Sequence, residues 1–429
     1  MKSCIVRRLA LLPLVCSLSV ACDLDKVEPT ITDKTSPWYD RGCPLTQHQR
    51  YKSDLVADCR CFNNQAPVSG IDLCKRPYNL MKAGISIGEG PTMATAFNIE
   101  FNAGFLDESK GPEGTVYVAA SFGASTVRSG AVLEVDLATG NRRIVSGFDP
   151  TGFVDVVNSV LPEVGSGPSF GSVMDVRRSP KDGQVYAYVR TAPPAEQEIV
   201  RVDLETGERT LMWKGRRPGF PQCVNPDAGE NEGTLQTTDN GFAIDDDGWF
   251  YIAISNPTQG RGIVRIDSDF SRCEVFSGIG RGVGPYMSGF VNGFEIKDGK
   301  LYGFTTQPKQ FIEFDLVTGD RQLIYNVLGV TPPERHARWD ATRNVWWLAG
   351  FQDSVSIQAL DLENNIVADI FSGGFFDWMP LGAAGPVQIN SLNYGAVWVR
   401  SNGNLLVAQD GMSIVEYEPS TGNSVILSL

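Results

Sequence analysis

From residue 133 onward, apolar and polar residues alternate in short runs, and each pair of runs is joined by a tight turn. The phrase reads LEVDLATGNRRIVSG, VRVDLETGERTLMWKG, VRIDSDFSRCEVFSG, FIEFDLVTGDRQLIYNV, QALDLENNIVADIFSG and, at the end, VEYEPSTGNSVILSL. A period of two is the mark of a strand whose two faces do different work. Thr-Gly occupies the turn in four copies, where glycine supplies the left-handed backbone that the reversal needs. Each phrase is therefore predicted to be a β-hairpin. A second hairpin precedes most copies, clearest in MDVRRSPKDGQVYAYV, GFAIDDDGWFYIAIS and GFEIKDGKLYGFTT, with turns at Asp182-Gly183, Asp247-Gly248 and Asp298-Gly299.

Two hairpins make a four-stranded antiparallel blade, and six such units predict an all-β chain, a six-bladed β-propeller. The acidic markers Asp136, Asp203, Asp267, Asp315, Asp361 and Glu418 stand about 46 to 67 residues apart, at or above the length of a propeller repeat. A β-solenoid would need a much shorter period, and a seventh blade would need another copy of the phrase. The last copy ends the chain on an outer strand. The sixth blade is thus expected to be complete in its own segment, with the ring closed by direct packing of blades, helped by residues near Ile85.

The N-terminal residues change the picture by setting a compartment. Lys2, Arg7 and Arg8 precede an apolar stretch from Leu9 to Ala21, too short for a membrane span. It ends Ser19-Val20-Ala21-Cys22, which resembles the lipobox of bacterial lipoproteins, with Ser19 where that motif usually has leucine. The resemblance implies a signal peptide over 1–21, cleavage before Cys22, lipidation of Cys22 and a place in the cell envelope, facing the periplasm or the surface. Residues 22–42 are polar and contain Pro29 and Pro37, as suits a tether. A small cysteine-rich segment follows over 43–80, and the propeller is assigned to 81–429.

Nine cysteines are present. Cys4 and Cys16 fall in the signal and Cys22 at the lipidation site, leaving Cys43, Cys59, Cys61, Cys74, Cys223 and Cys273 as disulfide candidates in an oxidising compartment. Cys59 and Cys61 are expected to pair with Cys43 and Cys74 in one order or the other. Cys223 and Cys273 are left to pair across two neighbouring blades. Zinc is disfavoured because the cluster lacks paired CxxC knuckles. The net charge of −13 disfavours nucleic acid and anionic membrane surfaces as partners, so the lipid alone is expected to hold the protein to a membrane.

The blade-to-blade connections 148–171, 216–239, 279–291 and 373–389 are long, whereas the hairpin turns are short. Long connections fall on one face of a propeller, and long ordered loops on rigid elements commonly carry function. They hold Phe153, Phe220, Tyr286, Phe290, Phe375, Phe376 and Trp378, with Trp213 just before the second of them, a supply of aromatics suited to a protein or glycan partner. Trp346 and Trp347 lie within a strand, so at least one belongs to the core.

Catalytic chemistry is scarce. Only His48 and His336 are available as imidazoles, and no GxSxG elbow, HExxH helix or phosphate-binding glycine loop occurs. Several inner strands begin with a polar residue able to line the central channel: Glu89, Asn240, Asn292, His336 and Asn390. Carboxylate and amide oxygens suit a hard divalent cation, calcium above all.

The phrases GEGP at 88–91, DNGFAIDDDG at 239–248 and VNGFEIKDG at 291–299 resemble those of the regucalcin and gluconolactonase-like six-bladed propellers. That resemblance implies a divalent metal in the channel, held by Glu89, Asn240 and Asn292, in a lactonase- or esterase-type hydrolase. The family's RxND phrase has no counterpart in the second blade, and similar blades occur in NHL-type propellers that only bind. The leading expectation is a non-catalytic envelope lipoprotein that grips a protein or glycan with its long-loop face. The metal-dependent hydrolase is the alternative.

Overall fold

A computed structural model describes residues 47–50, 58–61, 66–68, 71–75, 98–111, 113–124, 127–149, 163–191, 197–215, 218–224, 241–256, 260–287, 291–306, 309–326, 336–352, 354–364, 366–372, 379–380, 396–409, 413–419 and 423–428. Two short hairpins come first: β1 (Gln47–Arg50) with β2 (Asp58–Cys61), and β3 (Ala66–Val68) with β4 (Ile71–Lys75). Cys59, Cys61 and Cys74 lie on these strands, but their side chains, like Cys4, Cys16, Cys22 and Cys43, lie outside what is described.

Six blades follow. Blade 1 contains β5 (Asn98–Asp107), β6 (Thr115–Ala124), β7 (Val127–Asp136), β8 (Arg142–Phe148) and β9 (Glu163–Val164). Blade 2 contains β10 (Ser172–Arg178), β11 (Val185–Arg190), β12 (Gln197–Val202) and β13 (Arg209–Lys214). Blade 3 joins β14 (Cys223–Val224) to β15 (Phe242–Ile244), β16 (Phe250–Asn256), β17 (Gly260–Ile266) and β18 (Cys273–Gly278). Blade 4 is β19 (Val291–Lys297), β20 (Lys300–Thr306), β21 (Lys309–Asp315) and β22 (Arg321–Asn326). Blade 5 is β23 (His336–Asp340), β24 (Val345–Gln352), β25 (Ser354–Asp361), β26 (Ile366–Ser372) and β27 (Met379–Pro380). Blade 6 is β28 (Val397–Val399), β29 (Leu405–Gln409), β30 (Ser413–Glu418) and β31 (Asn423–Ser428). Every blade has the expected four antiparallel strands; β9, β14 and β27 add a short fifth strand to blades 1, 3 and 5.

Burial explains why the inner strands read as near-continuous apolar runs. Each blade packs on both faces, so both parities of a strand are inside. In β6, Val116, Val118 and Ala120 join a core with Ala396, Trp398, Leu406 and Ile414 of blade 6. The intervening Tyr117 and Ala119 join one with Val173, Val185 and Val200 of blade 2. The same partition repeats around the ring, giving one apolar cluster at each blade junction. Trp346 and Trp347 follow it too: Trp346 packs toward blade 4 and Trp347 toward blade 6, so both are core. The ring closes by such packing between blades 6 and 1, reinforced by Arg400, whose Nη2 donates to the Glu113 carbonyl at 2.7 Å.

The repeated aspartates are turn formers. Asp203 Oδ1 accepts the N–H groups of Glu205 and Thr206 at 2.8 and 2.9 Å, and Asp315 Oδ1 accepts those of Val317 and Thr318, each at 2.9 Å. Gly207 and Gly319 then take φ of 76°, as the turn requires.

Cys223 and Cys273 are joined in a disulfide, but within one blade rather than across two. The connection leaving blade 2 first runs along the outer edge of blade 3, where β14 pairs in parallel with β18, before reaching the inner strand β15.

Candidate functional site

Three inner strands carry an irregularity at a similar depth: β5 between Phe101 and Gly104, β10 between Val173 and Asp175, and β19 between Asn292 and Glu295. A bulge re-aims side chains and frees backbone groups for other partners. Here the freed groups are used. Asn102 Nδ2 donates to the Val173 carbonyl at 2.7 Å, tying blade 1 to blade 2. Arg177 Nη2 donates to the Phe294 carbonyl at 3.1 Å, and Arg338 Nη2 to the Gly104 carbonyl at 3.3 Å.

These two guanidiniums belong to a charged network joining the inner strands. Arg177 Nε donates to Asp175 Oδ2 at 3.0 Å, and its Nη1 lies 3.4 Å from Glu295 Oε2. Arg338 Nη1 donates to the same Glu295 oxygen at 3.0 Å. Blades 2, 4 and 5 are thus bridged by two cations and two carboxylates. Burial pushes the Asp175 carboxyl up, with Arg177 and Arg338 offsetting only part of that effect. Burial, and then the like charge of Arg177, lower Arg338 from its ordinary value.

A cavity of about 680 Å³ opens beside this network, toward the first-hairpin turns of blades 2 to 4. Arg177 and Arg178 line it from blade 2, Asp245, Asp246 and Asp247 from blade 3, and Glu295 and Asp298 from blade 4. Its volume falls in the range of small-ligand sites. Arg178 is fixed by Asp107, 2.8 Å away, and stacks 5.0 Å from the centre of the Phe105 ring. Burial alone would raise the Asp107 carboxyl; the hydrogen bonds from Ser109 and the charge and hydrogen bond of Arg178 outweigh it and hold it low.

The two aspartates predict opposite responses to acid. A carboxyl held low in the folded state stabilises fully above its unfolded value, near 3.9, and that contribution is lost as pH falls through the folded pKa. Asp175, held high, costs stability above its folded pKa, and the cost is relieved as pH falls through it. Urea midpoints measured down the acid range should therefore show a shallower loss in Asp107→Asn than in the wild type. Asp175→Asn should not make the loss shallower; equal slopes for all three proteins would contradict the assignment.

Of the expected channel residues, Asn292 and His336 are described. Both are buried at the starts of the inner strands β19 and β23 in neighbouring blades, two or three residues before Glu295 and Arg338. Glu89, Asn240 and Asn390 lie outside the described residues. The described channel does not fit a divalent cation at the level of the network, because the carboxylates of Asp175 and Glu295 are already paired with Arg177 and Arg338. Among the described residues no three His, Cys, Asp or Glu side chains gather as a metal site would require.

The aromatic expectations divide. Phe153, Phe290, Phe375, Phe376 and Trp378 lie outside the described residues. Trp213 is core rather than rim: it is buried, and its Nε1 donates to the Pro221 carbonyl at 3.2 Å. Phe220 is likewise drawn in, packed against the apolar cluster between blades 2 and 3. Tyr286 is 71% exposed, and Val283 equally so. Their segment runs beside the first residue of the outermost strand of blade 4, where Arg321 holds it by the Pro285 carbonyl at 2.9 Å. With Val317 of the adjacent turn, these make three of the four exposed large apolar residues among the described residues.

Arg177, Arg178, Asp175, Glu295 and Arg338 did not emerge from the sequence. The signal was present, as alternating charges inside strands otherwise apolar: Asp175 and Arg177 in MDVRR, and Glu295 in GFEIK. Attention to the first polar residue of each inner strand passed over them.

No protein-family model and no curated protein matches the chain. Among solved structures, the chain is similar to a gluconolactonase from Xanthomonas campestris, with 11% identity and a TM-score of 0.45, over 80% of this chain and 88% of that one. It is similar to an auxiliary nutrient binding protein from Bacteroides thetaiotaomicron at 12% identity and a TM-score of 0.43, covering 77% and 78% of the two chains. A chain of a nidogen/laminin complex gives 12% identity and 0.42, covering 68% and 87%.

Proposed function

We propose that this chain is an exported binding propeller, tethered to the cell envelope through Cys22, that grips a protein or glycan partner with its surface and carries out no catalysis. The observation behind this reading is the charged network of the channel. Arg177 and Arg338 are committed to Asp175, Glu295 and backbone carbonyls, so the axis works as a structural pin. Function is then left to the surface, where Tyr286 stands exposed on a segment that Arg321 holds rigid. A rigid aromatic offers contact area at small entropic cost.

The reading is tested by calorimetric titration of calcium into the purified protein, with Asn240→Ala as control. No stoichiometric uptake is expected. Uptake that disappears in Asn240→Ala would overturn the proposal in favour of the metal-dependent hydrolase, with Glu89, Asn240 and Asn292 as ligands. The burial of Asn292 and His336 on adjacent inner strands is the observation that favours that second reading.

Tyr286→Ala should weaken capture of the envelope partner while leaving unfolding free energy within about 0.5 kcal/mol of wild type, as surface substitutions do. A larger loss in urea denaturation would place Tyr286 in the core and remove it from the binding surface.

A further inference from the structure

The cavity of about 680 Å³ is lined by two arginines and five carboxylates, and most of these charges are neutralised within the protein. Arg177 pairs with Asp175 and Glu295, and Arg178 with Asp107. Asp298 has the Lys297 ammonium at 3.0 Å. Asp245 is buried and both its oxygens are engaged: Oδ1 accepts the Trp249 N–H at 2.8 Å, and Oδ2 the Tyr251 hydroxyl at 2.9 Å. Two carboxylates remain. Asp246 and Asp247 stand exposed on the turn between β15 and β16, and among the described residues neither has a cationic partner. Lys181, whose stem lies over Gly248 of the same turn, gives its ammonium to Ser268 Oγ at 2.7 Å instead.

The turn that carries the two aspartates is held in place. The Asp245 N–H donates to the Trp249 carbonyl at 3.0 Å, and the Gly248 N–H to the Asp245 carbonyl at 2.9 Å. Together with the two bonds to the Asp245 side chain, these fix Asp246 and Asp247 at the cavity before any ligand arrives.

The rest of the lining is largely apolar. Phe105, Leu106, Ile296 and Leu316 each pack against an apolar cluster between blades, yet stay only half-buried. All four line the cavity, so the surface they leave uncovered forms part of its wall. A low-dielectric wall strengthens the field of the carboxylates beside it. A hydrated metal ion would gain nothing from these hydrocarbon groups. It would also find too few uncommitted carboxylates here to complete a shell of oxygens. An organic cation with an aliphatic stem uses both parts of the lining.

We propose that this cavity is a binding site for a primary alkylammonium group, with its charge at Asp246 and Asp247 and its methylenes against the wall of Phe105, Leu106, Ile296 and Leu316. The bearer is a small diamine or the lysine side chain of a partner, which share that chemistry. The site goes beyond the surface reading centred on Tyr286. It leaves the charged network intact, since every member of the network keeps its own partner.

The test is calorimetric titration of the full chain with pentylammonium at low salt, which should reveal one site per chain. Methylammonium carries the charge without the stem and should bind more weakly, by up to about fourfold for each methylene no longer buried. Pentanol carries the stem without the charge and should give no response. Asp246→Asn/Asp247→Asn should weaken pentylammonium about tenfold and leave the urea midpoint in place, because both side chains are exposed. Tyr286→Ala should leave pentylammonium binding unchanged, so this site and the surface reading fail separately. Cadaverine and a lysine blocked at both backbone ends then distinguish the bearers, the tighter binder identifying a free diamine or a partner's lysine. Equal affinity for methylammonium and pentylammonium would reveal an acidic turn and nothing more, and would overturn the proposal. So would undiminished binding in the double variant, or no binding of any amine.

Discussion

Replacing Arg177 with alanine is expected to destabilise the folded protein by about 3–5 kcal/mol, the scale for breaking a buried ion pair from one side. The physical cause is what remains behind. Asp175 is 1% exposed, and Arg177 is its hydrogen-bonded cation at 3.0 Å. Once the guanidinium is gone, the carboxylate must stay charged without its nearest partner or take up a proton, and either costs free energy. Glu295 keeps Arg338 at 3.0 Å, so the damage should centre on Asp175. The double variant Arg177→Ala/Asp175→Ala should therefore lose less than the two single losses combined. Arg143→Ala provides the contrast. Its pair with Glu134 is also short, at 2.7 Å, but the arginine side chain is 52% exposed, and such pairs contribute about 0–1 kcal/mol. Urea denaturation of the four proteins decides the matter. Equal small losses for Arg177→Ala and Arg143→Ala would show that the network is solvated and pins nothing.

The second large effect is expected at the junction of blades 2 and 3. The disulfide between Cys223 and Cys273 spans a sequence separation of 50 residues, for which the loop-entropy model gives about 4 kcal/mol of stabilisation. Both cysteines are buried against the apolar cluster that joins the two blades. The bond itself lies within blade 3, tying β14, which brings the chain in from blade 2, to β18, at the place in the repeated phrase that Arg209 and Arg321 hold in blades 2 and 4. Cys223→Ala/Cys273→Ala should lower the denaturation midpoint, and reducing agent should lower that of the wild type without affecting the variant at this junction. An unmoved wild-type midpoint under full reduction would mean that the bond contributes nothing to the fold.

Much of the architecture was legible because propeller blades are built from local rules. Alternation sets which residues of a strand can be buried, and Asp-x-x-Thr-Gly chemistry sets where it turns; both operate within a dozen residues. The six repeated phrases each became the third and fourth strands of a blade, and the last of them completed blade 6 from its own segment. The aromatic rim was less legible. Composition cannot tell an exposed aromatic from a buried one in a long connection, so Trp213 and Phe220 read like Tyr286 until packing drew the first two inward.

By itself, the sequence determined the strand pattern, the turn positions and the blade number, since all of these follow from short-range pattern and composition. Only the tertiary structure decided that Cys223 and Cys273 share one blade, that three blades gain a fifth strand, and that the channel is pinned by arginines. The reason is distance along the chain. Arg177 meets Glu295 across 118 residues, Glu295 meets Arg338 across 43, and Arg338 meets the Gly104 carbonyl across 234. Bulges in three separate inner strands must align before those groups converge, and a pairing that depends on ring geometry leaves no local periodicity to read.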